Sequence, residues 1–523
     1  MWRTYLREFG DFQTPLDLVR SVLRLVYRGG GTWTRALEPT CGVGNFITGL
    51  RSLASPPLEI QGIEVQPRHA LRTTVEAENS GGEAAVRIKQ ADIFRLNLAE
   101  LEWSQTGPLL VVGNPPWVTN AELGGLGSEN LPIKSNFKAR SGFGAKTGES
   151  NFDIAEFIWI KLIKELAWSR PTIALLCKTA VARNVLAYAE RAALPISSAD
   201  IYLIDAKKWF GAAVDACLFR VDVGFGETNY SANLYADLDA STPQSVLAMA
   251  NGSMVSDYAT YEEYSFLEGE SPIVWRQGIK HDAAAIMELT EERGVLRNRL
   301  GEAVSAEREY VYPLLKSSDL NGDDNPEPRC RVLVTQKELG AGTTDLSQRA
   351  PRLWKYLSSH EDVFLARKSS IYEGRSPFSM FGIGDYSFTD YKVAVSGMYK
   401  TIRFRVVGPY EGKPVLFDDT CYLAPCASAE QACILAALLN DPSCLSFLNS
   451  LIFLDSKRPI TKKVLQRLDL ASLLSRIDRR FLIRDANQRL AVLGLGAISE
   501  DDLNTFAWPG TELDRQLLIP GMT

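Results

Sequence analysis

Leu109-Leu110-Val111-Val112-Gly113-Asn114-Pro115-Pro116-Trp117 decides how this sequence is read. The apolar residues form a β-type run. A side-chain amide, two prolines and a large aromatic follow, where a buried strand meets its loop. The Asn114 amide oxygen and the Pro115 carbonyl can both accept hydrogen bonds from one exocyclic NH2 group. The prolines fix φ and remove backbone donors, so the turn offers acceptors and little else. Trp117 adds a face for stacking. Such a turn suits a flat, amine-bearing ring. A Pro-rich turn with a core tryptophan is the plain alternative, and the surrounding sequence weighs against it.

Upstream, Ala36-Leu37-Glu38-Pro39-Thr40-Cys41-Gly42-Val43-Gly44-Asn45-Phe46 carries a short strand ending at an acid. A Gly-x-Gly loop then opens a helix with Phe46, Ile47, Leu50 and Leu53 at helical spacing. Gly42 and Gly44 let the backbone approach a ligand closely. The loop is no phosphate fingerprint, because the third glycine is missing and Glu38 would repel a pyrophosphate. An acid there suits an ammonium group. The next strand, Leu58 to Val65, carries Glu64 about 20 residues past the loop, where a carboxylate usually accepts the hydroxyls of a ribose. A third strand, Val86 to Gln90, leads to Asp92, which can accept an adenine amino group, with Ile93 or Phe94 lining the ring. One such acid is ordinarily a solvated strand end. Three at successive strand ends mark a ligand site outside the carboxyl ends of an α/β sheet.

The order and wording of these segments resemble the S-adenosylmethionine-dependent DNA amino-methyltransferases of the gamma type, from restriction-modification and phage-defence systems. In that family an Asn/Asp/Ser-Pro-Pro-aromatic turn performs transfer to adenine N6 or cytosine N4, and Asn in first place is more typical of the adenine enzymes. Phe12-Gln13-Thr14-Pro15 is similar to the family's N-terminal segment, which implies that Thr14 contacts the methionine carboxylate. Asn151-Phe152-Asp153-Ile154-Ala155-Glu156-Phe157 matches a helix that gives the adenine pocket an aromatic, here Phe157. A strand at 172–177 and a hairpin from 199–204 to 216–221 follow. The family places an aromatic from the hairpin loop on the flipped target base, which implies Phe210, with Trp209 in reserve, beside Trp117. The resemblance is specific over residues 8 to about 225 and implies a Rossmann-like class I methyltransferase domain. That domain has a mainly parallel seven-stranded sheet, helices on both faces and S-adenosyl-L-methionine as cofactor.

Composition agrees with this and adds limits. The chain has 523 residues, room for two or three domains. No stretch is long enough to span a bilayer and no signal peptide is evident, so a cytoplasmic location in a bacterial or archaeal cell is expected, with no membrane partner. Eight scattered cysteines form no Cys-x-x-Cys pair, and three histidines show no ligand spacing. They are read as reduced and structural, with no metal site.

The net charge of −6 leaves DNA binding to local basic surfaces. One is the loop carrying Lys134, Lys138, Arg140 and Lys146. Another runs from Arg352 to Arg405, where nine basic residues, Arg367 and Lys368 among them, outnumber five acids and interleave with aromatics. A third is the turn at Lys457 and Arg458, which resembles the family's closing segment. The expected organisation is a catalytic domain (1–228), a connector (229–270), an α+β target-recognition domain (271–470), and a C-terminal helical segment and tail (471–523). Many relatives fuse a nuclease ahead of the methyltransferase. Here the cofactor segment starts by residue 10, so modification without cutting is expected. The reading is a site-specific adenine-N6 methyltransferase acting on double-stranded DNA, with a separate restriction or defence subunit as a candidate partner. Methylation of cytosine N4, an RNA base or a protein glutamine is the alternative, since each presents a planar amine.

Overall fold

The computed structural model describes residues 13–28, 30–79, 83–118, 153–322 and 326–509. The chain divides into two units between Ala259 and Thr260. The first unit opens with helix α1 (Leu16–Tyr27), whose Leu18, Val19, Val22, Leu23 and Val26 recur at helical spacing and are buried. The α/β alternation follows: β1 (Arg35–Glu38), α2 (Asn45–Arg51), β2 (Glu59–Glu64), α3 (Pro67–Asn79), β3 (Ala85–Gln90), β4 (Leu109–Gly113), α4 (Ile154–Leu166), β5 (Thr172–Lys178) and α5 (Thr179–Arg191). Then come β6 (Ile196–Ile204), the short α6 (Ala206–Phe210) and β7 (Ala216–Val223). Strands β1, β2 and β4 are buried along their whole length, as expected of a sheet covered on both faces. α1 and α2 share one apolar core with β1, β2, β4, β5 and β7.

The sheet order is β10-β9-β8-β6-β7-β5-β4-β1-β2-β3. From β5 to β3 every pairing is parallel, while β7 runs antiparallel to both neighbours. The seven expected strands are therefore present, and the expected hairpin is the β6–β7 pair. Three more strands, β8 (Ala232–Tyr235), β9 (Ser245–Ala250) and β10 (Ser253–Val255), extend the sheet beyond β6. They occupy the stretch read as a connector. Their residues are mostly half-buried, so the strong apolar alternation that marks a strand is missing from them.

The second unit holds two sheets. The four-stranded one, in the order β11-β19-β16-β17, is antiparallel throughout and comprises β11 (Arg276–Gln277), β16 (Tyr391–Ser396), β17 (Phe404–Val407) and β19 (Cys421–Cys426). The five-stranded one, in the order β13-β12-β15-β14-β18, comprises β12 (Glu288–Glu292), β13 (Val295–Asn298), β14 (Val311–Leu315), β15 (Cys330–Leu333) and β18 (Leu416–Phe417). Helix α7 (Pro351–Ser358) buries Leu353 and Leu357. Further on, α8 (Ala429–Leu439) is buried and packs on α10 (Arg479–Val492), so the segment after residue 470 is built into this unit. Among the described residues no single helix is long and apolar enough to cross a membrane. The pair α8 and α9 (Pro442–Leu451) has the length and composition only when joined, and is bent by 63°.

The stretch 352–405 turns out to spend much of its positive charge internally. Arg352 pairs with Glu307 at 3.2 Å. Arg367 donates to the carbonyls of Phe364 (3.0 Å) and Ser379 (2.8 Å) and stacks on Tyr372 at 3.7 Å. Lys392 is 1 % exposed, donates to Thr389 O, and burial pulls its ammonium down to about 7. Arg405 donates to Leu320 O and Gly322 O. The interleaved aromatics pack on one another, as in Trp354–Phe378 and Tyr372–Phe381. Arg458 is likewise engaged, with Asp419 at 3.1 Å. Lys368 and Lys457 are exposed.

Candidate active site

Strand order reverses between β1 and β4, which lie side by side and parallel with Leu37 opposite Val111. At such a switch point the loops leaving two neighbouring strands diverge to opposite faces and open a crevice. The loop after β1 is Pro39–Gly44, and the turn after β4 is Asn114–Trp117. They are close at Gly113, where a Cβ would sit at van der Waals distance, 3.4 Å, from Glu38 Cγ and Pro39 Cδ. The crevice is an open cleft. Its lining includes Thr14, Glu38, Gly42, Glu64, Asp92, Ile93 and Asn114, seven residues singled out from the sequence, together with Phe94 and Pro116. The cleft thus gathers the ends of β1, β2, β3 and β4.

Each wall is held by identifiable bonds. The Glu64 carboxylate accepts from Gly42 N at 2.8 Å and Gln66 N at 2.7 Å, so it braces the glycine loop while facing the cleft. Gly44 caps α2 with φ +80°, a conformation that suits glycine, and a Cβ would meet Thr73 Cγ2 at 2.5 Å. Asp92 Oδ1 accepts from Phe94 N at 2.9 Å, which turns Ile93 and Phe94 toward the cleft. Thr14 is buried, and its carbonyl accepts from Asn45 Nδ2 at 2.8 Å. Asn114 Oδ1 is shielded from solvent.

Some expected positions fall elsewhere. From α4 the lining residues are Ile154 and Ile158, whereas Phe157 stands edge-on to Phe94 at 5.5 Å. Ile154, Phe157 and Ile158 share one side of the helix, and Phe157 reaches the cleft through Phe94, which lines it. Pro115, Trp117 and Gly44 border the cleft without lining it. Trp117 and Phe210 lie edge to face at 5.1 Å, so the two aromatics expected on the target base are neighbours. Trp209 lies under Lys208 Nζ at 4.8 Å. Gln13, Thr40 and Asn45 also line the cleft, as does His69, one of the three histidines expected to be structural. The Gln13 side chain accepts from Val43 N, an unpatterned contact that no spacing rule signals. Lys134, Lys138, Arg140 and Lys146 lie outside the described residues.

No family model matches the chain. A curated relative, Type II methyltransferase M.NspV from a Nostoc species, is 37% identical over 464 residues, covering 88% of this chain and 96% of its own length. This chain belongs to the type II restriction-modification methyltransferases. Among solved structures, the Type IIL restriction-modification enzyme MmeI, crystallised with DNA, aligns over 98% of this chain and 75% of its own, with a TM-score of 0.53 at 13% identity. That likeness concerns the fold. A class I S-adenosylmethionine-dependent methyltransferase from Listeria monocytogenes matches 44% of this chain and 67% of its own, with a TM-score of 0.30 at 13% identity.

The methyltransferase takes S-adenosyl-L-methionine as cofactor and acts on DNA. The cleft's chemistry suits the cofactor. Glu38 is buried, one of its oxygens and the nearby Thr40 hydroxyl have no hydrogen-bond partner among the described residues, and both residues line the cleft. Orphaned buried acceptors of this kind fit a ligand that brings an ammonium group. Burial first, and then the neighbouring Glu64 charge, hold the Glu38 carboxyl well above its ordinary 4.5, against the pull of the Ile47 amide.

That shift fixes a sign. The folded, cofactor-free enzyme keeps a proton on Glu38 that the unfolded chain releases above about pH 4.5. Stability is therefore lost as pH rises from there through the folded value. Glu38→Gln should abolish this loss, raising the melting temperature of the cofactor-free protein at pH 8 and changing it little at pH 4. In the wild type an incoming ammonium expels the proton, so cofactor affinity should rise with pH. In Glu38→Gln it should fall by about 1.5–3 kcal/mol and lose its pH dependence. Calorimetry at pH 6 and pH 8 tests this. Unchanged affinity in the variant would remove the ammonium from Glu38.

Proposed function

We propose that this enzyme methylates the N6 amino group of an adenine flipped out of double-stranded DNA. The observation that carries the reading is the meeting of the Asn114 turn with the Glu38 loop at Gly113, beside a cleft of matching chemistry. Thr14 and Glu38 would hold the amino-acid end of S-adenosylmethionine, Glu64 the ribose, and Asp92, Ile93 and Phe94 the adenine ring. Bound there, the cofactor supplies an activated methyl group. Asn114 Oδ1 and Pro115 O accept the two N–H bonds of the target amine. That favours a more pyramidal nitrogen and aims its lone pair at the methyl, so positioning makes up most of the catalysis. The amine cannot adopt this geometry inside a duplex. Extrusion costs a few kcal/mol, which stacking on Trp117 and Phe210 offsets. The cell interior, where host DNA resides, is the fitting location.

Asparagine at the head of the turn favours adenine, and cytosine N4 is the second reading. Nucleoside mass spectrometry of plasmid DNA from cells expressing the enzyme should find N6-methyladenine. N4-methylcytosine instead would reverse the choice of base. Asn114→Ala should lower transfer by roughly 3–4 kcal/mol of barrier with cofactor affinity nearly intact. Activity above about a tenth of wild type would sink the role given to Asn114.

The second unit is our candidate for reading the target site, since it is the part of the chain outside the unit that holds the cleft. Within it, Lys368 and Lys457 remain candidates for phosphate contact, whereas the guanidinium groups of Arg367 and Arg458 are committed to the protein. Replacing Lys368 or Lys457 with alanine should weaken binding on every sequence and reduce the salt slope by about one per contact. An unchanged slope would make them solvated surface.

A further inference from the structure

The Asn114 turn is tied at its far end by contacts that the mechanism above does not use. Trp117 Nε1 donates to Leu176 O, on β5, at 3.3 Å. The carbonyl of the next residue, Val118, accepts from Ile154 N, the first residue of α4, at 2.9 Å. Asp153 caps the same helix, its Oδ1 accepting from Ala155 N at 3.1 Å. Its other oxygen, Oδ2, lies 2.7 Å from Lys178 Nζ, at the end of β5. The contacts close a ring: turn to strand through Trp117, turn to helix through Val118, helix to strand through the ion pair.

Three features set this pair apart from an ordinary surface bridge. The side chains are 9 % and 24 % exposed, so solvent screens the attraction little. Lys178 is the only charged residue on β5, whose other residues are Thr172 and an apolar run. Asparagine or serine would cap α4 as well as aspartate does, so the second oxygen and its lysine are not needed for capping. The helix start they fix also bears Ile154 and Ile158, which line the cofactor cleft. Burial works against the Asp153 carboxylate and Lys178 partly compensates, so removing the lysine leaves a poorly solvated acid at the mouth of the turn.

We propose that Lys178 and Asp153 are positioning residues for methyl transfer: their ion pair clasps α4 to β5 and thereby sets the height of the Asn114 turn against the cofactor wall. The proposal rests on the catalytic reading of that turn. Neither residue touches the reacting atoms in this account. Their effect on rate comes through the placement of Asn114 and Pro115, where a displacement of about 1 Å is worth about a hundredfold.

Three variants separate this role from plain stability. Asp153→Asn keeps the helix cap and removes the charge, Lys178→Met removes the ammonium, and Lys178→Arg restores a charged donor. Single-turnover transfer to plasmid DNA from a methylation-deficient host is measured, with S-adenosylmethionine affinity by calorimetry. Asp153→Asn and Lys178→Met should lose about ten- to a hundredfold in rate with affinity within about threefold, and Lys178→Arg should regain most of the rate. Full rate in Lys178→Met or Asp153→Asn overturns the clasp, and so does a loss that arginine fails to restore or that tracks cofactor affinity. Asn114→Ala in the same assay tells the two failures apart. If it is inactive while Lys178→Met is unimpaired, only the clasp falls. If it is active, the catalytic reading falls first.

Discussion

The parallel pairing of β1 with β4 is the constraint on which the site depends. It brings together two strands that are neighbours in space and 74 positions apart in sequence, with Arg35 opposite Leu109. Each ends in a loop that can do nothing alone. The loop after β1 offers a buried acid and a glycine turn, and the turn after β4 offers two hydrogen-bond acceptors on a rigid backbone. Only the shared edge makes them two walls of one cleft, with Gly113 packed beside Glu38 and Pro39. The adjoining β2 and β3 then add Glu64 and Asp92 along the same carboxyl edge.

A site built this way works against its own stability. Glu38 is held in an interior that disfavours its charge, beside a second carboxylate that disfavours it further. Glu64 accepts from Gly42 N of the loop it braces and from Gln66 N just past its own strand. Its removal would therefore disturb the cofactor cradle as well as remove a ligand acceptor, and no alanine variant there isolates the ribose contact. Glu38 is the cleaner probe, because its second oxygen has no partner among the described residues. The arrangement follows a general pattern in which polar groups lacking partners in the free protein are completed by the ligand.

Legibility in the sequence followed burial. Strands β4 and β5 are nearly all buried and read as apolar runs, so the Asn114 turn could be placed at a strand end. Strands β1 and β2 are equally buried but carry polar residues, and they were legible through the acids Glu38 and Glu64 at their ends and the Gly-x-Gly loop between them. Strands β8 to β10 sit toward one edge of the sheet with mixed exposure, and their sequence looks like a connector. On helix α4, Ile154, Phe157 and Ile158 lie on one side, and periodicity alone does not separate the two isoleucines that line the cleft from the phenylalanine that packs behind Phe94. The basic stretch of the second unit shows a different limit. Counting charges cannot distinguish Lys392 and Arg405, buried and bonded to carbonyls, from Lys368 on the surface. An aromatic-rich interior and a nucleic-acid surface have the same composition until the fold assigns each side chain a direction.

The central claim is that one cleft presents a cofactor methyl to an amine held by Asn114. A crystal structure with S-adenosylhomocysteine bound tests it most directly. The account predicts the amino group against Glu38, the ribose hydroxyls on the Glu64 carboxylate, the adenine between Ile93 or Phe94 and the α4 isoleucines, and the sulfur facing Asn114. A ligand in another crevice, or in this one with its sulfur turned away from Asn114, would contradict it.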